Sequence, residues 1–568
     1  MDRFWLEHYP AGVPTDIDPD QYASLVHLLD ESMGGHGADD ATIYMGKALS
    51  HADLLRLSRH FAGWLLSLGL ARGARVALMM PNCHAFVVSF MGVLRAGMTV
   101  VNVNPRYTER ELREVLLDAE ADVVVVLENF AHTVEKVLPH VSVRHVVVVS
   151  VGDLIGLLRG MLTNLVVRRV KRMVPAYRLP GAKRLAQVLA LGARQQQEMP
   201  ALKPTDLALL QYTGGTSGTP KGAMLTHRNL VANVLQASAW FYPAMEKPGL
   251  PRPEGPPVFV GALPLYHIFA LMICLLVTMR LGGKVILIPD PRDVNSLVKA
   301  VGRQKVVVFP GLSTLYSHLL ANEGFRRLDF SNLRITLAGG AALSSTVAAE
   351  WLRVTGCAVC EGYGLTEASP TVCCTPTNAM EYQGTIGMPL PSTFVKIIDE
   401  AGNEVARGEE GELAFRGPQL MAGYWRREDE TRAAMTPDGF FRSGDMAAVD
   451  ERGYFRILDR KKDLVLVSGF NVYCNEVENV ASGCPGVREC AAVGVPDEAT
   501  GEAVKLFVVR SDRALTVETL RAYCAERLTG YKRPRHVVFV KSLPRSDVGK
   551  VLRRPLRMGT IVPPLDEA

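Results

Sequence analysis

The chain has 568 residues, more than one ordinary hydrophobic core can hold, so at least two domains are expected. Its 48% hydrophobic and 21% charged residues are normal for a soluble globular enzyme. The net charge of +5 suits anionic substrates or a membrane surface and is too weak to argue for nucleic acid as a partner.

The first residues, Met1-Asp-Arg-Phe-Trp, carry an early acid and no apolar core segment, so no signal peptide is expected. Ten cysteines without framework spacing read as reduced thiols, which places the protein in the cytoplasm. Residues 74–80, 99–103 and 122–127 are apolar runs that predict strands, with helical stretches at 85–95 and 109–120. Alternating elements with apolar strands point to a parallel sheet buried on both faces.

Further on, Leu154, Leu158, Met161 and Leu165 recur at helical spacing, joined by Ile155, Leu162 and Val166. Arg168, Arg169, Lys171 and Arg172 follow at the C-terminal end. A core helix with a solvated basic end is the preferred reading, and contact with anionic lipid headgroups is the alternative.

Residues 207–212 predict a short strand, and the next stretch, 212–222, reads YTGGTSGTPKG. Four glycines, four Ser/Thr hydroxyls and one lysine in eleven residues suit a phosphate loop, because glycines let backbone N–H groups converge on an anion. It is not a Walker A loop, since Lys221 follows Pro220 and precedes Gly222. A flexible surface loop is the plain alternative. Thr226 then predicts a helix N-cap.

The α/β alternation resumes with predicted strands at 257–261, 284–288, 305–309 and 334–338. The greasy stretch 268–279 is shorter than the roughly 20 residues a bilayer needs and predicts a buried helix. Cys357-Ala-Val-Cys360 has the C-x-x-C spacing but lies in an apolar run, and a buried strand is expected there rather than a zinc site. From Gly453 the strands become shorter and more polar. Asp459-Arg-Lys-Lys-Asp463 is a charged break, which sets the expected organisation: a large domain over 1–458, a hinge at 459–462 and a small α+β domain over 463–568.

The order of the motifs then carries a resemblance. The loop at 212–222 resembles the phosphate loop of the adenylate-forming superfamily, which includes acyl-CoA synthetases, luciferases and peptide-synthetase adenylation domains. LPLYH (263–267), GYGLTE (362–367), SGD (443–445), DRKK (459–462) and PRSDVGK (544–550) continue the family's order along nearly the whole chain. The stretches DGFFRSGD (438–445) and VSGFNVY (467–473) resemble fatty acyl-CoA synthetases in particular. The tail LTGYKRP (528–534) with VGKVLRR (548–554) is most similar to bacterial long-chain fatty acid–CoA ligases.

The resemblance implies an α/β fold: a large N-terminal domain of mixed and parallel sheets flanked by helices, with a small mobile α+β C-terminal domain. It implies ATP-dependent conversion of a long-chain fatty acid to its CoA thioester through an acyl-adenylate, releasing pyrophosphate and AMP and feeding β-oxidation. ATP and CoA are then co-substrates and Mg²⁺ the cofactor. Tyr212, Thr213, Gly214, Gly215, Thr216, Ser217, Gly218, Thr219, Lys221 and Gly222 would cradle the departing phosphates. Glu367 would hold Mg²⁺ with Thr213, and Thr366 would stand near the α-phosphate. Gly339, Gly340 and Ala341 would form the backbone wall beside adenine, Tyr363 and Gly364 its stacking turn, and Asp445 and Arg460 the ribose contacts. His267 would line the acyl carboxylate site, with a plain core histidine as the alternative. Lys550 would bridge the attacking carboxylate and the α-phosphate. The small domain would then rotate about Lys462, withdrawing Lys550 and presenting Gly469 to the pantetheine arm.

Three residues depart from the family pattern: Ser443 for threonine, Cys474 for proline and Arg545 for lysine. Arg553 and Arg554 read as plain surface charge. The rivals are a medium- or short-chain or aryl-acid CoA ligase, a luciferase-like oxygenase, a peptide-synthetase adenylation domain, and a catalytically silent lipid-binding protein on the membrane surface. The expected partners are fatty acid, ATP and CoA, with peripheral contact at an anionic membrane surface, and a homodimer is left open.

Overall fold

The computed structural model describes residues 3–196, 198–213, 220–246, 253, 255–340, 343–546, 549–561 and 563–566. The loop residues Gly214, Gly215, Thr216, Ser217, Gly218 and Thr219, and Ala341, therefore lie outside the described residues.

Four sheets organise the rest. In the first, seven strands run in the order Lys183–Arg184, His145–Val149, Ala121–Leu127, Arg75–Met79, Thr99–Asn102, Leu207–Thr213 and Lys221–Thr226. All neighbours are parallel except the last pair, a hairpin. Val76, Leu78 and the run Val123, Val124, Val125 and Val126 are fully buried, as strands covered on both faces require. The helix His84–Arg95 is buried throughout.

The second sheet has nine strands. Its centre is parallel, with Lys284–Leu287, Val258–Gly261, Val308–Gly311, Ile335–Gly339 and Val359–Gly364 side by side. One expected strand is displaced: pairing begins at Val308 rather than Lys305 and continues through Pro310 and Gly311, opposite Leu337 and Ala338. Cys357 and Cys360 are both buried, one just before the strand and one within it. The stretch Ile268–Arg280 is helical and buried except at Phe269 and Arg280, which are half-buried, with a π-type turn over Leu271–Val277.

An antiparallel sheet of four strands follows, ending at Phe455–Arg460. The last sheet begins at Val465–Val467 and has its own core, built on Val465, Val477, Val504, Leu506 and Leu520. This separate core makes the C-terminal part a small α+β unit, joined to the rest through the single turn Lys461–Asp463.

The segment 154–172 is not the core helix preferred from its sequence. Its helix runs Leu157–Leu165 and continues as a π-type turn over Val166–Val170, with Leu158 83% and Met161 63% exposed. Only Gly160 and Val167 of that helix are buried. Helical spacing gives the stripe but not its direction, and here the small and polar side faces the protein.

Candidate active site

The hairpin that flanks the expected phosphate loop stands at the edge of the first sheet. Its strands pair Tyr212 with Gly222 and Thr213 with Lys221, so both ends of the loop are fixed in register. Tyr212 contributes little but backbone there: its ring is buried and its hydroxyl donates to Asp118 Oδ2 at 2.7 Å. Thr213 Oγ1 lies 3.4 Å from the Lys221 carbonyl oxygen. Gly222 is held by the Trp425 N–H, which donates to its carbonyl at 2.8 Å.

Behind the hairpin runs the segment 421–425. Met421 N donates to the Glu367 carbonyl at 2.7 Å, and Met224 N donates to Gly423 O at 2.9 Å. The Tyr424 hydroxyl donates to Glu367 Oε1 at 2.6 Å, and the Lys221 ammonium sits 5.3 Å from the centre of the Tyr424 ring. Lys221 is also ion-paired with Glu430. One tyrosine thus links the expected metal-binding acid to the phosphate lysine. Neither Tyr424 nor Glu430 was found from the sequence. Tyr424 sits in a GYW triplet with no chemistry of its own, and Glu430 reaches Lys221 only through the fold.

The glycines expected beside the nucleotide, Gly339 and Gly340, lie where strands of the second sheet end. Gly339 closes one of them; a Cβ there would stand 3.0 Å from Phe269 Cζ. Gly340 has φ +79°, a backbone conformation that favours glycine. Tyr363 and Gly364 end the next strand, and Thr366 and Glu367 follow in a short 3₁₀ turn. A side chain on Gly364 would strike the Pro370 carbonyl at 1.9 Å, so backbone packing demands glycine here.

Asp445 is buried and lies opposite Arg460 in the four-stranded sheet. Arg460 Nε stands 2.8 Å from its Oδ1, and the Tyr363 hydroxyl donates to its Oδ2 at 2.6 Å. The Arg460 guanidinium is held more strongly charged than usual, chiefly by Asp445. Ser443 keeps the role a threonine would have: its hydroxyl accepts from Asp445 N at 3.1 Å and donates to Leu413 O at 2.6 Å.

Lys550 arrives from the other domain. Its Cε lies 3.5 Å from where a Cβ on Gly340 would be, and a Cβ on Gly549 would meet Thr314 Oγ1 at 3.2 Å. Burial, with Arg460 adding to it, lowers the lysine's pKa to about 8. Arg545 braces this loop, donating to Gly549 O at 2.7 Å while paired with Glu489 at 2.9 Å. His267 feels Lys550 as well: burial first, then that ammonium, lowers its pKa to about 4. It is therefore neutral at ordinary pH. Its Nδ1 accepts the Phe269 N–H at 3.4 Å, which leaves the proton on Nε2 as a donor.

Arg553 is not the surface charge its sequence suggested. It donates to Glu478 Oε2 at 2.7 Å and Asn475 Oδ1 at 2.6 Å, and its Nη1 lies 3.3 Å from Asp459 Oδ1. Burial raises the Asp459 and Glu478 carboxyls, and Arg553 pulls both back down. Cys474 is buried at the start of the next helix, its thiol donating to Asp463 O at 3.3 Å. Lys462 lies within the field of Arg460, Asp445 and Lys550, whereas Gly469 has no such neighbour within side-chain reach among the described residues. Burial lowers the pKa of Lys462 in the connecting turn. Gly469, with φ +83°, has open space where a side chain would be, beside exposed Phe470.

A sequence model of the AMP-binding enzyme family matches residues 29–425, and one of the AMP-binding enzyme C-terminal domain matches 476–550. The chain is 48% identical over 558 residues to a long-chain-fatty-acid–CoA ligase of Escherichia coli O157:H7, covering 98% of each chain. It is 35% identical to a feruloyl-CoA synthase of an Amycolatopsis species, over 90% of this chain and 94% of that one. Among solved structures, ATP-bound MatB from Rhodopseudomonas palustris is similar at 30% identity with a TM-score of 0.80, covering 95% of this chain and 99% of that one.

Proposed function

Because the chain belongs to the AMP-binding enzyme family, we propose that it is a ligase joining long-chain fatty acids to CoA at the expense of ATP. The fatty carboxylate attacks the α-phosphorus and expels pyrophosphate; the CoA thiol then attacks the acyl-adenylate and expels AMP. The carboxylate is already ionised at neutral pH, so the first step needs no base. It needs alignment and positive charge, because an anion attacks a polyanion.

The observation that carries this reading is the place of Lys550. A lysine from a separately folded unit stands against Gly340 and within the field of Arg460 and Asp445. That is where an ammonium would bridge carboxylate and α-phosphate. Lys221 and the hairpin would hold the leaving pyrophosphate, Asp445 and Arg460 the ribose, and Thr366 the α-phosphate. His267 would donate from Nε2 to the acyl carboxylate.

Glu367 and Thr213 would hold Mg²⁺, which would neutralise phosphate charge. The donor set fits a hard cation: both offer oxygen, and Tyr424 fixes the orientation of the Glu367 carboxylate. Among the described residues no group of three or more His, Cys, Asp or Glu could hold a metal alone, so phosphate and water oxygens would complete the shell. The second step needs the C-terminal unit to turn about Lys462, which would bring Gly469 to the pantetheine arm.

No helix among the described residues is long and apolar enough to cross a membrane. The reading places the enzyme in the cytoplasm, in peripheral contact with an anionic membrane surface, its acyl-CoA entering β-oxidation. Thioester formation across fatty acids from short to long, with a Lys550→Ala variant beside the parent, tests the whole scheme. Rates should peak at long chains, and the variant should lose adenylation yet still convert supplied acyl-adenylate. A preference for aryl or short acids would remove the long-chain assignment.

A further inference from the structure

The helix Leu157–Leu165, with its continuation Val166–Val170, is mounted inside out. Its small and polar positions dock on the protein. A Cβ on Gly160 would stand 2.3 Å from the Gly152 carbonyl oxygen, so the helix lies directly on that backbone. Asn164 Oδ1 accepts the Gly152 N–H at 2.7 Å. Arg159 donates to the Met45 carbonyl. Arg168 forks onto fully buried Glu128 at 2.7 and 3.1 Å and reaches Ser150 Oγ at 3.0 Å, while Arg184 approaches the same carboxylate at 3.2 Å.

The outward side is apolar. Leu157 is 80% exposed, Leu158 83%, Met161 63%, Leu162 62% and Leu165 55%. Val170 and Met173 extend the patch at the helix end. A helix that faces water ordinarily turns charge outward. A contiguous apolar face of this size marks a contact surface.

Charge identifies the occupant. From Leu154 to Gln197 the chain has nine lysines and arginines and no aspartate or glutamate. Arg169, Lys171 and Arg172 are exposed at the end of the apolar face. Apolar side chains on one face with cations at its edge match an interface where acyl chains meet anionic headgroups. A protein partner for a purely apolar face would not call for this one-sided charge.

We propose that this helix is the membrane-docking element of the enzyme. It lies in the plane of an anionic bilayer, its leucines and methionine entering the acyl boundary and its arginines and lysine meeting lipid phosphates. The assignment rests on the peripheral-contact part of the proposed function and gives it a surface. The bilayer is also where a long fatty acid partitions, so docking places the enzyme beside its substrate.

The experiment is flotation of the full chain with phosphatidylcholine vesicles and with vesicles that also contain phosphatidylglycerol, for the parent, L158S/L162S and R169E/K171E. Ligase activity on detergent-dispersed fatty acid is measured in parallel. Because every substituted side chain is exposed, activity in detergent should be unchanged in both variants. The parent should float with the anionic vesicles, and each variant should do so about tenfold less. If parent and variants float alike, the membrane contact stands but this helix is not its element. If an active parent floats with neither vesicle, the contact and the helix both fall while the ligase reading stands. If the parent sediments as a dimer without lipid and L158S/L162S dissociates it, the face belongs to a second copy and the proposal is overturned.

Discussion

Lys550 is a cation held where burial disfavours cations. Its pKa of about 8 lies below that of a free lysine because burial comes first and Arg460 adds repulsion that Asp445 only partly offsets. A base with a lowered pKa keeps its charge below that value and loses it above. If the ammonium is what bridges carboxylate and α-phosphate, kcat/KM for ATP should fall as pH rises through about 8. ATP–pyrophosphate exchange without CoA reads this step and avoids ionisation of the thiol. Lys550→Arg keeps a charge at all working pH, so its residual exchange should show no such fall; the same fall in both proteins would remove Lys550 as its source. His267 gives no inflection in this range, because its pKa is about 4 and it is neutral throughout. Its place was legible in LPLYH, but its tautomer was not, since that depends on the Phe269 N–H that the helix turn brings to Nδ1.

Among elements, the helices His51–Ser67 and Leu185–Gly192 meet through bare backbone. A Cβ on Gly192 would stand 1.6 Å from the His60 carbonyl oxygen, and one on Gly63 would be 2.8 Å from Gly192 O. Neither neighbour is a side chain that can swing away. Gly192→Ala should therefore destabilise the large domain by about 1–3 kcal/mol through overpacking, against a gain of under ~1 kcal/mol from alanine's helix propensity. Urea unfolding monitored by tryptophan fluorescence measures it; an unchanged midpoint would mean that the two helices separate at little cost. The docking helix follows the same lesson. Its spacing was legible in the sequence, yet its orientation was decided by Gly160 on Gly152 in the preceding turn and by Arg168 on Glu128 in another element.

In the whole molecule, the pose is set by contacts that cross the turn at Lys461–Asp463. Asp459 ends the large domain and is buried; Asn475 N donates to its Oδ2 at 3.1 Å and Arg553 sits against its Oδ1. The Tyr473 hydroxyl donates to Glu410 at 2.5 Å, and Gly549 packs against Thr314. Arg553 serves Asp459 and Glu478 at once, so Arg553→Ala would leave two carboxylates buried without their cation. A buried pair broken from one side costs about 3–5 kcal/mol. The expected result is faster tryptic cleavage at Arg460, Lys461 and Lys462 and a C-terminal unit that unfolds before the large domain. Cleavage at the parent's rate would show that the other crossing contacts suffice.

The sequence by itself determined the α/β class and the order of the motifs along the chain. These follow from local causes: apolar runs make buried strands, Thr226 caps its helix, and Gly340 stands where φ is positive. It also led to the expectation of a division near Asp459–Lys462, because the charged run interrupts the apolar strands on either side. What only the tertiary structure decided is who meets whom. Tyr424 under Lys221 and against Glu367, Arg553 between Asp459 and Glu478, and Lys550 beside Gly340 join residues separated by scores to hundreds of positions. No local pattern encodes such contacts, since each depends on how sheets pack and on how one domain rests on another. The outward face of the helix at Leu157–Leu165 is the clearest case, because periodicity defines a stripe while only the surrounding fold decides whether the stripe meets protein or solvent.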